Sequence, residues 1–148
     1  MAYDYAGGWG TIAGHQANFW SSVSNPASTV FSTERAVESY LKAGVPAHKI
    51  ILGMPLYGRA FANTDGPGKP FQGVAVELGM YDYKALPQPR AEVTNDMKII
   101  ASYSYDAIKR LMVSYDTPEV VVEKSRLIKS YGIGGGMVST RKFRLSVT

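Results

Sequence analysis

A continuous apolar run, Lys49-Ile-Ile-Leu-Gly-Met-Pro55, constrains the fold more than any other feature of the sequence. It follows directly on a predicted helix that begins with Thr33 as its N-cap and ends at Gly44, beyond which Pro46 prevents continuation. A strand that is apolar at successive positions is typical of a parallel strand buried on both faces beneath helices. The run therefore predicts an α/β fold built on a parallel sheet.

A second predicted helix followed directly by a strand occurs near the other end of the chain. Thr117 is a predicted N-cap with Pro118 in the first helical position, Gly132 ends the helix, and a strand follows over 133–137. Between the two helices, residues 62–115 are rich in tyrosine and punctuated by proline and glycine, which predicts a small α+β insertion. With an opening strand over residues 1–5, the order is β–α–β–insertion–α–β, and the crossovers are expected to be right-handed.

The opening segment, Met-Ala-Tyr-Asp-Tyr5, carries the first candidate site residues. In an extended strand its odd-numbered side chains point to one side and its even-numbered ones to the other. A tyrosine hydroxyl and a carboxylate at a strand end, beside the glycine loop that starts at Gly7, are typical of the active edge of an α/β barrel. The alternative is an ordinary edge strand with a solvated Asp4.

Composition excludes several classes of function. The net charge of +4 comes from dispersed lysines and arginines, which gives no nucleic-acid footprint. There is no cysteine for a disulfide or a thiolate metal site, and His15 and His48 are too far apart in sequence for a metal-ligand spacing. We expect no metal and no cofactor. No stretch is apolar enough to cross a membrane, and no charged-then-apolar signal segment opens the chain.

Several motifs, in order, resemble the C-terminal part of a family 18 glycoside hydrolase, the fungal-type chitinases. Met1-Ala-Tyr-Asp4 resembles the motif on the sixth barrel strand, and 53–61, Gly-Met-Pro-Leu-Tyr-Gly-Arg-Ala-Phe, resembles the end of the seventh. Residues 134–137, Gly-Gly-Gly-Met, resemble the start of the eighth. The resemblance implies a partial (βα)8 TIM barrel, strands six to eight, with a small α+β insertion domain.

The implied domain organisation has four parts. Residues 1–61 form the barrel portion with strands six and seven, and 62–115 form the chitinase insertion domain. Residues 116–137 supply the last helix and strand eight, and 138–148 form an atypical tail that is expected to be poorly packed.

The resemblance also implies a chemistry, the hydrolysis of β-1,4-linked N-acetylglucosamine polymers by substrate-assisted retaining catalysis. Tyr3 would hold the acetamide oxygen that attacks the anomeric carbon, and Asp4 would be a second hydrogen-bond partner of that sugar. The remaining candidates are substrate-binding residues: Met1, Trp9, Tyr57 and Arg59. Each has a simpler alternative, with Met1 only a start residue, Trp9 and Tyr57 core residues, and Arg59 the partner of a nearby acid.

Two departures from the family pattern bear on activity. The Asp-x-x-Asp-x-Asp-x-Glu spacing that carries the general acid in the family does not occur in this sequence, and Ser139 stands where a tryptophan of the eighth strand is expected. We therefore expect a C-terminal portion of a chitinase that is inactive alone, with chitin or chito-oligosaccharide and the missing N-terminal barrel half as its partners. The alternative is a non-catalytic chitin-binding remnant. The family resemblance implies an extracellular location.

Other polar residues are interpreted as structural. His15 and Asn18 are expected to fix the loop after the opening strand rather than to touch sugar. Asp82, Asp106 and Asp116 each follow a tyrosine, and all three are interpreted as turn or cap groups.

Overall fold

The computed structural model describes residues 1–139, which form two sheets flanked by two α-helices. The strands are β1 Ile51–Pro55, β2 Tyr57–Phe61, β3 Met80–Asp82, β4 Glu92–Asp96, β5 Ala101–Asp106, β6 Leu111–Ser114 and β7 Gly135–Ser139. The α-helices are α1 Thr33–Lys42 and α2 Pro118–Ser130, and short 3-10 helices cover Pro26–Ser28, Ala47–Lys49, Glu77–Gly79 and Tyr83–Ala85.

The first sheet contains β1 and β7, which run parallel and pair from Ile51 opposite Gly135 to Pro55 opposite Ser139. The apolar run predicted this, because four of the five β1 residues are buried. Its Leu52 and Met54 side chains belong to the same core cluster as Val120 of α2. The prediction of parallel strands covered by helices is therefore confirmed.

The helix limits follow local sequence signals closely. Thr117 is the N-cap of α2, and its hydroxyl accepts a hydrogen bond from Val120 N, as predicted. The N-cap of α1 is Ser32 rather than Thr33, because Thr33 already has helical backbone and its hydroxyl donates to Asn18 O at 3.0 Å. Gly44 follows α1 with a φ of +85°, a conformation that disfavours any residue with a Cβ.

The second sheet is antiparallel and has five strands in the order β3-β2-β6-β5-β4. It begins at Tyr57, inside the segment 1–61 that was assigned to the barrel portion. Leu56 is the one residue between β1 and β2, and it lies in a bend that redirects the chain from the parallel sheet into the antiparallel one. Alternation along β2 places Tyr57 and Arg59 on the same side of this sheet.

The opening segment differs from its prediction because residues 1–5 form no strand. Ala2 N donates to Gly53 O at 3.1 Å, so the segment lies beside β1, but the next hydrogen bond goes elsewhere, from Tyr5 N to Gln16 O at 3.0 Å. Asp4 has a φ of +62°, which interrupts the extended backbone. A single hydrogen bond to β1, followed by a residue with left-handed backbone, cannot extend into a regular strand pairing.

The predicted tail also differs where it can be compared. Val138 and Ser139 belong to β7 and pair with Met54 and Pro55, so the strand runs past the point where the sequence pattern fails. Backbone pairing explains this, because a ladder depends on main-chain groups rather than on side-chain identity. The rest of the predicted tail, 140–148, lies outside the described residues.

Candidate functional site

Five of the six candidate residues come together around the Asp4 carboxylate. Asp4 Oδ1 accepts hydrogen bonds from the Tyr57 hydroxyl and from Arg59 Nε, both at 2.8 Å. Tyr3 packs edge-on against the Tyr57 ring with the ring centroids 6.0 Å apart. The Arg59 guanidinium lies over the Trp9 ring, 4.7 Å from its centroid. We call this group, Tyr3, Asp4, Trp9, Tyr57 and Arg59, the Asp4 cluster.

The backbone of Asp4 explains how its carboxylate reaches β2. Its positive φ turns the side chain out of the simple alternation predicted for a strand, so that Tyr3 and Asp4 both contact Tyr57 rather than pointing to opposite sides. The interpretation of Asp4 as a solvated edge residue is wrong, because the carboxylate is paired. The expectation that Arg59 pairs with a nearby acid is confirmed, and that acid is Asp4 itself.

Hydrogen-bonding capacity remains open in the cluster. Asp4 Oδ1 takes both donors, and no hydrogen bond within the described part of the chain reaches Asp4 Oδ2 or the Tyr3 hydroxyl. The Asp4 side chain is 36% exposed, whereas that of Arg59 is only 11% exposed. A carboxylate oxygen only accepts hydrogen bonds, while a phenol can donate one. The cluster thus presents an acceptor and a donor to the solvent side.

Burial and the Asp4 carboxylate together raise the pKa of Tyr57. Burial is the larger cause, because it disfavours the charged phenolate, and the hydrogen bond donated to Asp4 further favours the protonated form. Tyr57 therefore stays protonated and acts as a fixed donor. Its hydroxyl is held against Asp4 Oδ1 by this hydrogen bond.

Trp9 combines a supported face with an exposed one. The ring lies on Gly7, where an added Cβ would come within 2.3 Å of it, so any larger residue at position 7 would displace the indole. Arg59 also contacts the ring, yet Trp9 remains 63% exposed. The alternative reading of Trp9 as a core residue is wrong. An exposed, supported aromatic face is suited to packing against the apolar face of a sugar ring.

Met1 is placed differently from the other candidates. It is 90% exposed and lines a shallow groove between α1 and β1, together with Val37 and Tyr40. Its role as a substrate-binding residue stays a prediction.

Two buried polar features were not recognised from the sequence. Gln16 is fully buried, and its side-chain amide donates to Tyr57 O and Ser114 O at 2.8 and 2.9 Å. Asp116 forms a buried ion pair with Lys124, whose Nζ lies 2.6 Å from Asp116 Oδ2 and also 2.6 Å from Ala17 O. The interpretation of Asp116 as a turn group is therefore wrong.

A sequence signal for the ion pair existed. Lys124 lies four residues after the apolar Val120 and therefore on the same face of α2, and a lysine on a buried face requires a partner. Burial raises the pKa of Asp116, and the adjacent ammonium opposes that shift. For Gln16 no local signal was available, because Ser114 is 98 residues away in sequence.

Asn18 has the structural role expected of it, and the corresponding role of His15 stays a prediction. Asn18 Nδ2 donates to Trp20 O and Phe31 O, which fixes the loop. His15 is buried against Tyr103, and its Nδ1 has no partner within residues 1–139. Burial lowers the pKa of His15 to about 4, with the Asp96 charge acting in the opposite direction.

The depressed pKa of His15 predicts a pH-dependent stability. The unfolded chain binds a proton at His15 below its ordinary pKa of 6.5, whereas the folded chain resists it down to about 4. The free energy of unfolding is therefore highest above pH 6.5, and it decreases by about 3 kcal/mol as the pH falls toward 4. Urea unfolding of wild type and His15→Phe across this range should show it. The exposed His48, as His48→Phe, is the matched control, and a His15→Phe curve parallel to wild type would contradict the prediction.

Within residues 1–139, no group of three or more histidine, aspartate or glutamate side chains could hold a metal ion. The same residues include no helix that is long and apolar enough to cross a membrane.

Comparisons with known proteins agree with this arrangement of motifs. Chitinase 1 of Aphanocladium album and Endochitinase 1 of Metarhizium robertsii are each 46% identical over 140 residues, which is 93% of this chain and 33% of each relative. The chain thus spans about a third of the length of these curated relatives.

Solved structures give the same family. The GH18 chitinase from Cycas revoluta in complex with (GlcNAc)3 superposes with a TM-score of 0.83 at 27% identity, over 95% of this chain and 40% of that one. The profile described as Glycosyl hydrolases family 18 matches residues 1–142. The chain, with its Asp4 cluster at the junction of two sheets, therefore belongs to family 18 of the glycosyl hydrolases.

Proposed function

We propose that this chain forms the C-terminal portion of a chitinase and supplies the wall of the active site that holds the N-acetyl group of the reacting sugar. The observation that carries the proposal is the Asp4 carboxylate, which is fixed by Tyr57 and Arg59 on one oxygen and open on the other. An N-acetylglucosamine unit offers the N–H and hydroxyl donors that such an acceptor would bind, and a carbonyl oxygen for the Tyr3 hydroxyl.

In the proposed mechanism the acetamide oxygen of the sugar attacks its own anomeric carbon as the glycosidic bond breaks. Tyr3 donates a hydrogen bond to that oxygen and holds it in line, while Asp4 accepts a hydrogen bond from the same sugar. Positioning of this kind supplies a large part of the rate, because the reacting atoms are already close. Tyr57 and Arg59 hold Asp4, Trp9 packs against a neighbouring sugar, and Met1 lines the cleft.

The general acid in this proposal is supplied by chain outside the given sequence. None of the twelve acidic residues has the family spacing for it, so the chain alone is proposed to bind chito-oligosaccharide without cleaving it. Its partner is the N-terminal half of the barrel, and β1 and β7 are the proposed seventh and eighth barrel strands. Residues 62–115 stay proposed as the insertion domain, with β2 added to their sheet, and the location is proposed to be extracellular.

Binding of (GlcNAc)4 by the purified chain, measured by calorimetry, tests the proposal. We expect Asp4→Asn to weaken binding about 10- to 100-fold, because hydrogen bonds to a charged group contribute about 1.5–3 kcal/mol. The matched control is Asp65→Asn, since Asp65 pairs with Arg110 at 2.9 Å on an exposed surface. Equal affinities for wild type and Asp4→Asn would show that the Asp4 cluster does not bind the sugar.

A second measurement separates the proposal from the non-catalytic alternative. Chitin sedimentation with an assay for released soluble oligosaccharide should show binding but no release by this chain. Release should appear when the N-terminal barrel portion of a relative is supplied as one polypeptide with it. Binding that never leads to release in such a chimaera would favour the alternative, a chitin-binding remnant.

A further inference from the structure

Gln16 joins the two segments that build the Asp4 cluster. Its main-chain oxygen accepts a hydrogen bond from Tyr5 N, one residue after Asp4, at 3.0 Å. Its side-chain amide donates to Tyr57 O at 2.8 Å and to Ser114 O at 2.9 Å. Its main-chain N–H donates to Ser114 Oγ at 3.0 Å. One buried residue thus fixes the opening segment to β2 and β6, which are neighbouring strands of the antiparallel sheet.

The orientation of the Gln16 amide is determined by its partners. Both acceptors are carbonyl oxygens, so only the NH2 group can face them, and the reverse orientation would oppose three oxygens. The Oε1 atom is then buried with no hydrogen-bond partner among residues 1–139. An unsatisfied buried oxygen costs stability. Among uncharged side chains, only an amide offers two donors and can hold two carbonyls at once.

We propose that Gln16 is a positioning residue of the Asp4 cluster, which sets the distance between the Tyr57 hydroxyl and the Asp4 carboxylate by fixing the backbone on both sides of that contact. The expected effect of Gln16 on sugar binding rests on the proposed function, because a displaced Tyr57 would leave the sugar-binding Asp4 carboxylate misplaced. Gln16 itself contacts no sugar in this arrangement. Its effect passes through Tyr57 and Tyr5.

The test uses Gln16→Met, which keeps the length of the side chain and removes both donors. Tyr57 can be followed by NMR in protein labelled with 13Cζ-tyrosine, with Tyr57→Phe to assign its resonance. We expect the Tyr57 resonance to move in Gln16→Met, because the hydroxyl has left the carboxylate. The affinity for (GlcNAc)4 should fall about tenfold.

Two control variants separate positioning from a general loss of structure. Ser114→Ala removes the buried bond to Gln16 N but leaves both amide bonds, since those end on main-chain oxygens. Gln88→Met removes an exposed amide that donates to Ala85 O at 2.6 Å. Both should leave the Tyr57 resonance and the affinity as in wild type. If Gln16→Met does not fold, Gln16→Asn, which is too short to reach both carbonyls, carries the measurement.

The outcomes are distinct for the two proposals. A folded Gln16 variant with an unchanged Tyr57 resonance overturns the positioning role, as does a Ser114→Ala protein that shifts the resonance equally. A wild-type chain that fails to bind (GlcNAc)4 overturns the proposed function instead. The Tyr57 resonance still decides the role of Gln16 in that case, because it needs no ligand.

Discussion

Tyr3→Phe is expected to lower kcat by about 10²–10³-fold in a complete barrel that contains this chain, with little change in KM. The substitution removes the hydroxyl that we propose donates to the acetamide oxygen as that oxygen becomes a nucleophile, and it keeps the ring that packs on Tyr57. A donor that acts mainly on the developing charge affects kcat more than ground-state binding. The measurement needs a chimaera in which residues 1–137 replace the matching segment of the Aphanocladium album relative.

Tyr40→Phe is the matched control in the same chimaera. Tyr40 is 59% exposed on α1, so removing its hydroxyl should leave both kinetic constants unchanged. A Tyr3→Phe chimaera that turns over as fast as its parent would refute the assigned role. An increase in KM at constant kcat would also refute it, because that result indicates ground-state binding alone.

Lys124→Met is expected to destabilise the fold by about 3–5 kcal/mol, because it leaves the buried Asp116 carboxylate without its counter-charge. The pair lies 2.6 Å apart, with side chains only 2% and 3% exposed. Burial raises the pKa of Asp116, and loss of the ammonium removes what opposes that shift. A group whose pKa is raised on folding loses its stabilising contribution as the pH rises. The deficit of Lys124→Met should therefore be largest at neutral pH and shrink toward acid pH.

Urea unfolding measures this effect, and two further variants calibrate it. Lys42→Met breaks the exposed pair with Glu38 and should change the free energy of unfolding by no more than about 1 kcal/mol. The double variant Lys124→Met, Asp116→Asn removes both charges and should recover much of the loss. A single Lys124→Met variant as stable as wild type at pH 7 would show that the pair does not stabilise the fold.

Local signals predicted much of the fold. Thr117 as the N-cap and Gly44 and Gly132 as helix ends act through the backbone of their own neighbours, so the sequence is sufficient to locate them. The strand β2 was not predicted, and its period of two, which places Tyr57 and Arg59 on one side, became evident only in the structure. The strand predicted for the opening segment was wrong because the left-handed backbone of Asp4 interrupts the alternation of side chains. Nothing in the five-residue pattern indicates that conformation.

The parts of the site that were missed depend on contacts between distant segments. Gln16 reaches Ser114 across 98 residues, and Lys124 reaches Ala17 across 107. A buried glutamine or lysine is recognised as such only when the partner segments are known to meet. The motif order predicted six site residues, of which all except Met1 lie in the Asp4 cluster. The buried hydrogen bonds that hold the cluster together required the structure.

Because a single residue separates β1 from β2, the position of Tyr57 and Arg59 is tied closely to the parallel sheet. Tyr57 and Arg59 lie on the strand nearest to the parallel sheet, whereas β4 is at the far edge of the antiparallel sheet. The β4 edge can therefore lengthen or shorten at little cost while the Asp4 cluster keeps its geometry, whereas β3 pairs directly with Tyr57 and Arg59 and cannot. Changes in length at that edge would thus reshape the surface of the antiparallel sheet and leave the contacts among Asp4, Tyr57 and Arg59 as they are.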